Sequence, residues 1–284
     1  MTEPVRRSIA IEAGSMSCLE WEGKHHCTMV FAHANGFNAR TYRILLAQLS
    51  DSLRLFACDL RGHGFSALPA GPGLAKGWTV FGRDLVALAA QISESPLLLA
   101  GHSLGATASL IAATLAPRQV RAVVLVEPVL IPPIDVGNRE PSNNLALRAA
   151  QRRSTFPSFE AARGAFRGRG IFASWPDDVL DDYLAGGLTD DGAGTLRLAC
   201  SPEWEAEIFR EAPRGIAGIA GHVSCPIFIV RGRIASTASD DQIDEILRLR
   251  PDTRVTTIER ASHFLPMEMP EPVREEIRRA AAMA

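Results

Sequence analysis

Gly101-His102-Ser103-Leu104-Gly105 has the clearest chemical content in this chain. A serine stands two residues from a glycine on either side, after an apolar run at 96–100 and before a helical pattern beginning at Leu104. A strand-to-helix turn this tight forces its central residue into a strained backbone conformation. The glycines let strand and helix approach, and the hydroxyl is lifted clear above a helix N-terminus, which favours developing negative charge. A Gly-rich turn without chemistry is the simpler alternative, and the strand-to-helix setting argues against it. A serine hydroxyl becomes a useful nucleophile when a base takes its proton. Histidine, with an ordinary pKa of about 6.5, can do so in its neutral form. Of the seven histidines only His222 and His263 lie well after Ser103. His263, in Ala261-Ser262-His263-Phe264-Leu265-Pro266, follows an apolar run at 254–258 and precedes a terminal helical pattern. That order predicts a loop at the C-terminal edge of the sheet, where open α/β sheets build their sites. His222 precedes the run at 226–230, which puts it at the opposite edge or in an insertion. His25 and His26 are read as part of a turn and His102 as a variable position of the serine turn, with structural roles sufficient for all three.

The elements needed to hold these residues are legible as alternation. Short apolar runs at 28–32, 53–58, 96–100, 120–126, 226–230 and 254–258 predict strands, with 8–11 and 17–21 as an antiparallel edge. Residues 40–49, 81–92, 104–116, 240–250 and 271–282 carry apolar positions at three- and four-residue spacing, which predicts helices packed by one face on a sheet. Pro117 ends the third of these. The pattern describes an α/β domain with a mostly parallel central sheet flanked by helices. The alternation stops after Val126 and resumes at Pro226. The interval offers helical fragments at 144–154, 159–167, 176–184 and 202–211 and no strand-like run. It is read as a helical cap, 132–222, inserted into a core of 1–131 and 223–284; a single helical layer of one domain is the alternative. Arginines between Arg148 and Arg169, and aspartates between Asp177 and Asp191, are read as solvated helix faces able to pair.

Over essentially its whole length the chain resembles the cap-bearing α/β-hydrolase superfamily. The resemblance rests on Phe31-Ala32-His33-Ala34-Asn35-Gly36, Asp59-Leu60-Arg61-Gly62-His63-Gly64-Phe65-Ser66, Gly101–Gly105 and Ser262-His263-Phe264. It implies an order of serine, acid, histidine along the chain, which again selects His263. It also implies an oxyanion hole formed by two backbone amides. One is that of Asn35, in the place following the family's H-G, with Ala34 where glycine is usual. The other is that of Leu104, directly after the nucleophile. The Asp59–Ser66 segment is expected to serve loop architecture, Gly62 and Gly64 permitting conformations other residues resist. Dehalogenases and epoxide hydrolases of this architecture require a carboxylate at the nucleophile position, so Ser103 points to attack on an acyl carbon.

The acid departs from the commonest pattern. Most relatives carry an aspartate about three residues after the glycine that follows the penultimate strand. Here Arg231-Gly232-Arg233-Ile234-Ala235-Ser236 has Ala235 or Ser236 in that place, and Asp240 and Asp241 are expected to cap the next helix. Some lactone hydrolases and haloalkane dehalogenases place the acid at the end of the strand after the nucleophile helix, where this chain has Glu127. An acid ending an apolar strand needs a partner if it is buried, and His263 is the partner expected. The alternative is a glutamate exposed at the strand end.

Composition bounds the function. The 284 residues carry a net charge of −2, with 46% hydrophobic and 22% charged residues. This is an ordinary globular balance with no electrostatic footprint for nucleic acid or an anionic membrane. No run approaches the roughly 18 apolar residues of a membrane helix, no signal peptide is evident, and five widely spaced cysteines suggest neither a disulfide framework nor a zinc site. A cytoplasmic location is expected, with no membrane insertion. The expected activity is hydrolysis of a carboxylic ester, or a lactone, of a small to medium apolar substrate through an acyl-enzyme on Ser103, without a metal or organic cofactor. Phe156, Trp175, Trp204 and Phe264 are candidate substrate-binding residues, although cap aromatics more often form the cap's own core. A thioesterase, an amidase, a carbon–carbon bond hydrolase or a cofactor-free perhydrolase would use the same three residues. A non-catalytic ligand-binding member of the fold is the alternative from another class.

Overall fold

The computed structural model describes residues 3–22, 27–133 and 141–283; His25 and His26, expected in a turn, lie outside them. The chain opens with β1 (Val5–Ile11) and β2 (Gly14–Trp21), followed by β3 (Thr28–Ala32), α1 (Arg43–Ala47) and β4 (Arg54–Cys58). Next come α2 (Thr79–Ile92), β5 (Leu97–His102), α3 (Leu104–Leu115) and β6 (Val120–Val126). An inserted segment contains α4 (Pro141–Ala150), β7 (Thr155–Phe156), α5 (Phe159–Phe166), α6 (Asp177–Gly187), β8 (Leu188–Asp190), β9 (Leu196–Leu198) and α7 (Pro202–Arg210). The alternation then resumes with β10 (Ile227–Gly232), α8 (Asp240–Leu249), β11 (Arg254–Ile258), α9 (Leu265–Glu268) and α10 (Pro270–Met283).

Eight strands form one sheet in the order β1-β2-β4-β3-β5-β6-β10-β11. The β1–β2 and β2–β4 pairs are antiparallel and all later pairs parallel. Its inner strands β3, β5, β6 and β10 read as largely apolar runs because both faces are covered. Val30, Leu99, Val123, Leu125, Ile227 and Ile229 point to the side of α2, α3 and α8. Their neighbours Phe31, Leu98, Ala100, Val124, Phe228 and Val230 point to the side of α1 and α10. This is the two-residue period of a strand distributing one run between two cores. α3 is buried from Leu104 to Ala113, and its Gly, Ala, Ser and Thr positions suit a helix enclosed on every side.

The inserted segment is not wholly helical. β7, β9 and β8 form a small antiparallel sheet of their own, and at two or three residues each they are too short to leave a periodic signal. The expected pairing of charged runs is present: Arg163 reaches Asp181 at 2.6 Å and Arg167 pairs with Asp177. Asp182 instead binds Arg40 and Arg43 outside the segment, at 3.0 and 2.8 Å. α7 is seated directly on the sheet domain. The Trp204 indole donates to the Arg61 carbonyl and the Trp78 indole to that of Ile208, both at 2.9 Å. Residues Ile216–His222, counted above with the cap, pack beside α3 and α8. All five cysteines are free thiols, four of them buried. Among the described residues no helix is long and apolar enough to cross a membrane.

Candidate active site

Ser103 sits between the end of β5 and the first residue of α3 with φ 55° and ψ −114°. Positive φ in a residue with a side chain is strained and persists only where surroundings impose it. The imposing contacts are visible. A Cβ on Gly105 would lie 2.1 Å from the Ala32 carbonyl oxygen, and one on Gly101 would lie 2.4 Å from the Gly105 backbone. Strand and helix therefore close to a distance that only glycine allows. β5 extends two residues beyond the expected run, Gly101 and His102 pairing with Leu125 and Val126 of β6, and the Ser103 amide donates to the Val126 carbonyl at 2.9 Å.

The loop after β11 brings His263 to the serine. Nε2 lies 3.1 Å from Ser103 Oγ, and Nδ1 lies 3.0 Å from Glu127 Oε2. The imidazole retains 18% of its surface, while Glu127 has none. Glu127 follows β6 in a left-handed conformation, φ 49°, with its amide bound to the Val230 carbonyl at 2.8 Å. Its carboxylate accepts from the Gly232 amide at 2.6 Å, the Ser236 hydroxyl at 2.9 and 3.0 Å, and the Thr237 amide at 3.0 Å. The Thr237 hydroxyl sits against the same edge, 3.3 Å from His263 Nδ1 and 3.0 Å from the Pro128 carbonyl. A buried carboxylate so surrounded by donors is held in one orientation. Asp240 is elsewhere. It is fully exposed and pairs with Arg231 and Arg233, and its hydrogen bond from Arg231 lowers its pKa. The N-cap of α8 is Ser239, so Asp240 and Asp241 occupy the first turn rather than the cap position expected above. His222 ends a 3-10 turn packed beside α8.

Asn35 and Leu104 carry the two amides expected to bind an oxyanion. Neighbouring amides are already engaged: Ala34 with Tyr42 Oη, Gly36 with His63 Nε2, and Gly105 with the His33 carbonyl, each at 3.1 Å. Asn35 and Leu104 N–H have no acceptor among the described residues. His33 and His63 stitch this loop to the Asp59–Ser66 segment. His33 Nε2 accepts from the Leu60 amide at 2.8 Å, leaving Nδ1–H for the Ala34 carbonyl at 2.7 Å. His63 Nδ1–H correspondingly faces the Arg61 carbonyl at 2.9 Å. Burial lowers the pKa of His33 to about 4; burial, aided by the neighbouring His33, lowers that of His63 to about 3. Both rings therefore stay neutral acceptors near neutrality. Gly62 and Gly64 take φ of 71° and 52°, the conformations expected of them.

The aromatic candidates separate. Phe264 adjoins His263 at 5.3 Å between ring centroids, and Trp175 is 6.2 Å from Phe264. Phe37 joins both, at 6.3 Å from Phe264 and 5.3 Å from Trp175. Phe156 is buried against Phe166 within the inserted segment, and Trp204 is committed to the Arg61 carbonyl and Phe81. Phe37, Ser236 and Thr237 are the residues that sequence reasoning did not place at the site. Only Ser236 left a trace, as one of the two residues, with Ala235, expected at the place where the resemblance puts the acid. A small cleft lies beside Gly36 and Phe37, with Arg152, Tyr183, Leu198 and Cys200 in its wall.

The doubly covered sheet, the strained serine and the histidine loop define an α/β hydrolase. A model of the alpha/beta hydrolase family matches residues 29–276, and the chain belongs to that family. Among curated proteins it is similar to 2-(acetamidomethylene)succinate hydrolase of Mesorhizobium japonicum, 28% identical over 86% of this chain and 84% of that one. It is also similar to N-formylmaleamate deformylase of Pseudomonas putida, 24% identical over 88% of this chain and 86% of that one. A crystal structure of E-2-(acetamidomethylene)succinate hydrolase superposes with a TM-score of 0.84 at 27% identity, covering 99% of this chain and all of that one.

Proposed function

We propose that the protein hydrolyses an acyl bond through a covalent intermediate on Ser103. The observation that carries this reading is the continuous line from Ser103 Oγ to His263 Nε2 at 3.1 Å and from His263 Nδ1 to Glu127 Oε2 at 3.0 Å. In that reading His263 takes the hydroxyl proton as Oγ attacks the carbonyl carbon. The amides of Asn35 and Leu104 receive the oxyanion. The imidazolium then gives its proton to the departing group. Water repeats the sequence: His263 takes its proton, hydroxide adds to the acyl carbon, and Ser103 leaves with the proton restored. Glu127 keeps Nδ1 protonated and stabilises the transient cation without itself taking a proton. The segment over Phe37, Trp175 and Phe264 serves as a cap roofing the acyl pocket.

The scissile bond expected from sequence is an ester or lactone. A second reading has specific support: an amide of a small, carboxylate-bearing molecule. The named substrates of both curated relatives carry an N-acyl group and at least one carboxylate. Arg152, largely buried, places a guanidinium beside Gly36, the residue after the Asn35 oxyanion amide. Its bonds to Glu205 at 2.6 Å and Tyr183 Oη at 2.7 Å use two of its five N–H donors, leaving capacity for a substrate carboxylate.

Fluorophosphonate labelling followed by a substrate panel tests both levels. Wild type should label and Ser103→Ala should not; a labelled Ser103→Ala protein would remove the nucleophile. N-acylated amino-dicarboxylates should then exceed p-nitrophenyl acetate in specificity, and Arg152→Gln should raise KM for the anionic amides alone. Preference for neutral esters, unaffected by Arg152→Gln, would return the substrate to the ester class.

A further inference from the structure

His102, the variable position of the serine turn, has no exposed surface. Its Nε2 lies 2.8 Å from the backbone carbonyl of His263. A carbonyl only accepts, so Nε2 carries a proton. Burial and the adjacent His263 ring push the His102 pKa well down, and the ring is neutral. Nδ1 is then a lone pair. Tyr42 Oη lies 2.7 Å from it and must donate, while the same oxygen accepts the Ala34 N–H at 3.1 Å. With the ring neutral, the His263 carbonyl at one end and the Ala34 amide at the other set the proton directions along the line.

The resulting line runs from Ala34 N–H through Tyr42 Oη–H to His102 Nδ1, and from His102 Nε2–H to the carbonyl of His263. Its ends lie in different elements. Ala34 precedes the Asn35 amide, His102 precedes Ser103, and His263 follows β11, so the line spans the three pieces of the site. We infer that Tyr42 and His102 form a brace that sets the oxyanion loop, the serine and the histidine loop in mutual register. Both are positioning residues: they hydrogen-bond to none of the reacting atoms, and the His102 ring packs against that of His263 at 4.9 Å between centroids. The inference rests on the acyl-transfer reading of Ser103. A pair of merely satisfied core groups would contribute to folding and leave reactivity unchanged.

The test compares Tyr42→Phe, His102→Leu, His102→Gln and the double variant Tyr42→Phe/His102→Gln by thermal unfolding and by the rate at which a fluorophosphonate labels Ser103. Hydrolysis of p-nitrophenyl acetate separates kcat from KM. Glutamine presents a donor near the position of Nε2, so it can keep the link to His263 while losing that to Tyr42. Folded Tyr42→Phe and His102→Leu should label about 10-fold more slowly, the scale of one lost hydrogen bond, with the loss in kcat rather than KM. His102→Gln should recover part of the rate. The double variant should be little slower than the slower single, because both changes cut the same line. Labelling within about 2-fold of wild type in all folded variants, or losses that multiply in the double, would overturn the brace. Wild type that fails to label would instead remove the Ser103 reading. The brace then stands or falls on a measurement independent of activity: ¹⁵N NMR of the His102 ring between pH 6 and 8. A neutral ring protonated on Nε2 is expected; a proton on Nδ1, or a cationic ring, overturns it.

Discussion

Glu127 is the residue where an ordinary side chain does the least ordinary thing. Its carboxylate is fully buried at a strand end, and the Gly232 amide, Ser236 hydroxyl and Thr237 amide all donate to it. Ser236, in the loop after β10, thus helps to orient a carboxylate arriving from the neighbouring strand β6. Glu127→Gln keeps the shape but presents an NH₂ where an acceptor is required, favouring the wrong imidazole tautomer. By analogy with the serine-protease aspartate, kcat/KM should fall by up to about 10⁴. Ser236→Ala removes one donor and should cost about 10-fold. Asp240→Asn, at a residue that makes no bond to Glu127 or His263 and pairs with Arg231 and Arg233, should leave kcat/KM unchanged. Kinetics on these three variants, checked for folding by circular dichroism, assign the acid. A folded Glu127→Gln enzyme at wild-type rate beside an inactive Asp240→Asn would move it. The contact between Glu127 and His263 was legible because a carboxylate ending an apolar run demands a partner. The donors around it were not, because serine and threonine in a loop carry no such demand.

β5 and α3 position Ser103 by closeness, and the closeness is measurable as steric conflict. A methyl group on Gly105 would enter the Ala32 carbonyl at 2.1 Å, so Gly105→Ala must push α3 away from β3 or abandon the turn. Backbone cannot yield as a side-chain tip does, and a cost of about 3 kcal/mol is expected. Urea unfolding should show this as a lowered midpoint, with reactivity toward a fluorophosphonate lost in whatever remains folded. An alanine variant of wild-type stability would mean that the helix is not held by this contact. At the scale of elements the sheet strands were the most legible, since burial on both faces leaves unbroken apolar runs. The strand carrying the turn was read two residues short, because Gly101 and His102 do not look like strand residues. Their extension depends on pairing with Leu125 and Val126. β7, β8 and β9 were missed for a related reason: at two or three residues, pairing partners rather than pattern create them.

The molecule as a whole encloses neutral histidines, and that sets its response to acid. His33 and His63 are lowered to about 4 and about 3, chiefly by burial, and His102 is lowered in the same direction. In the unfolded chain each returns to about 6.5. The folded values lie below the unfolded one, so below pH 6.5 the unfolded state binds more protons. Stability is full above about 6.5 and is lost as pH falls toward the folded values, by about 1.4 kcal/mol per pH unit for each such histidine. Urea titrations at pH 7.5, 6.0 and 5.0 should show unfolding free energy falling steeply over the lower interval. His63→Gln, which keeps an acceptor for the Gly36 amide, should reduce the slope by one histidine's share. Equal stability at pH 7.5 and 5.0 would mean that these rings are hydrated.

Sequence by itself determined what local physics governs. The two-residue and 3.6-residue periods gave strands and helices, the glycines around Ser103 gave a turn only they permit, and an acid at the end of an apolar strand announced a buried partner. The tertiary structure decided everything that depends on which loops meet. Ser236, Thr237 and Gly232 converge on Glu127 because β6 and β10 are neighbours in the sheet. Tyr42 reaches His102 because the segment after β3 folds over the end of β5. Hydrogen-bond partners remote in sequence leave no periodic trace in it, since any polar side chain serves where the fold brings a donor to an acceptor. Closeness in space, which the packing of the whole sheet sets, is what selects them.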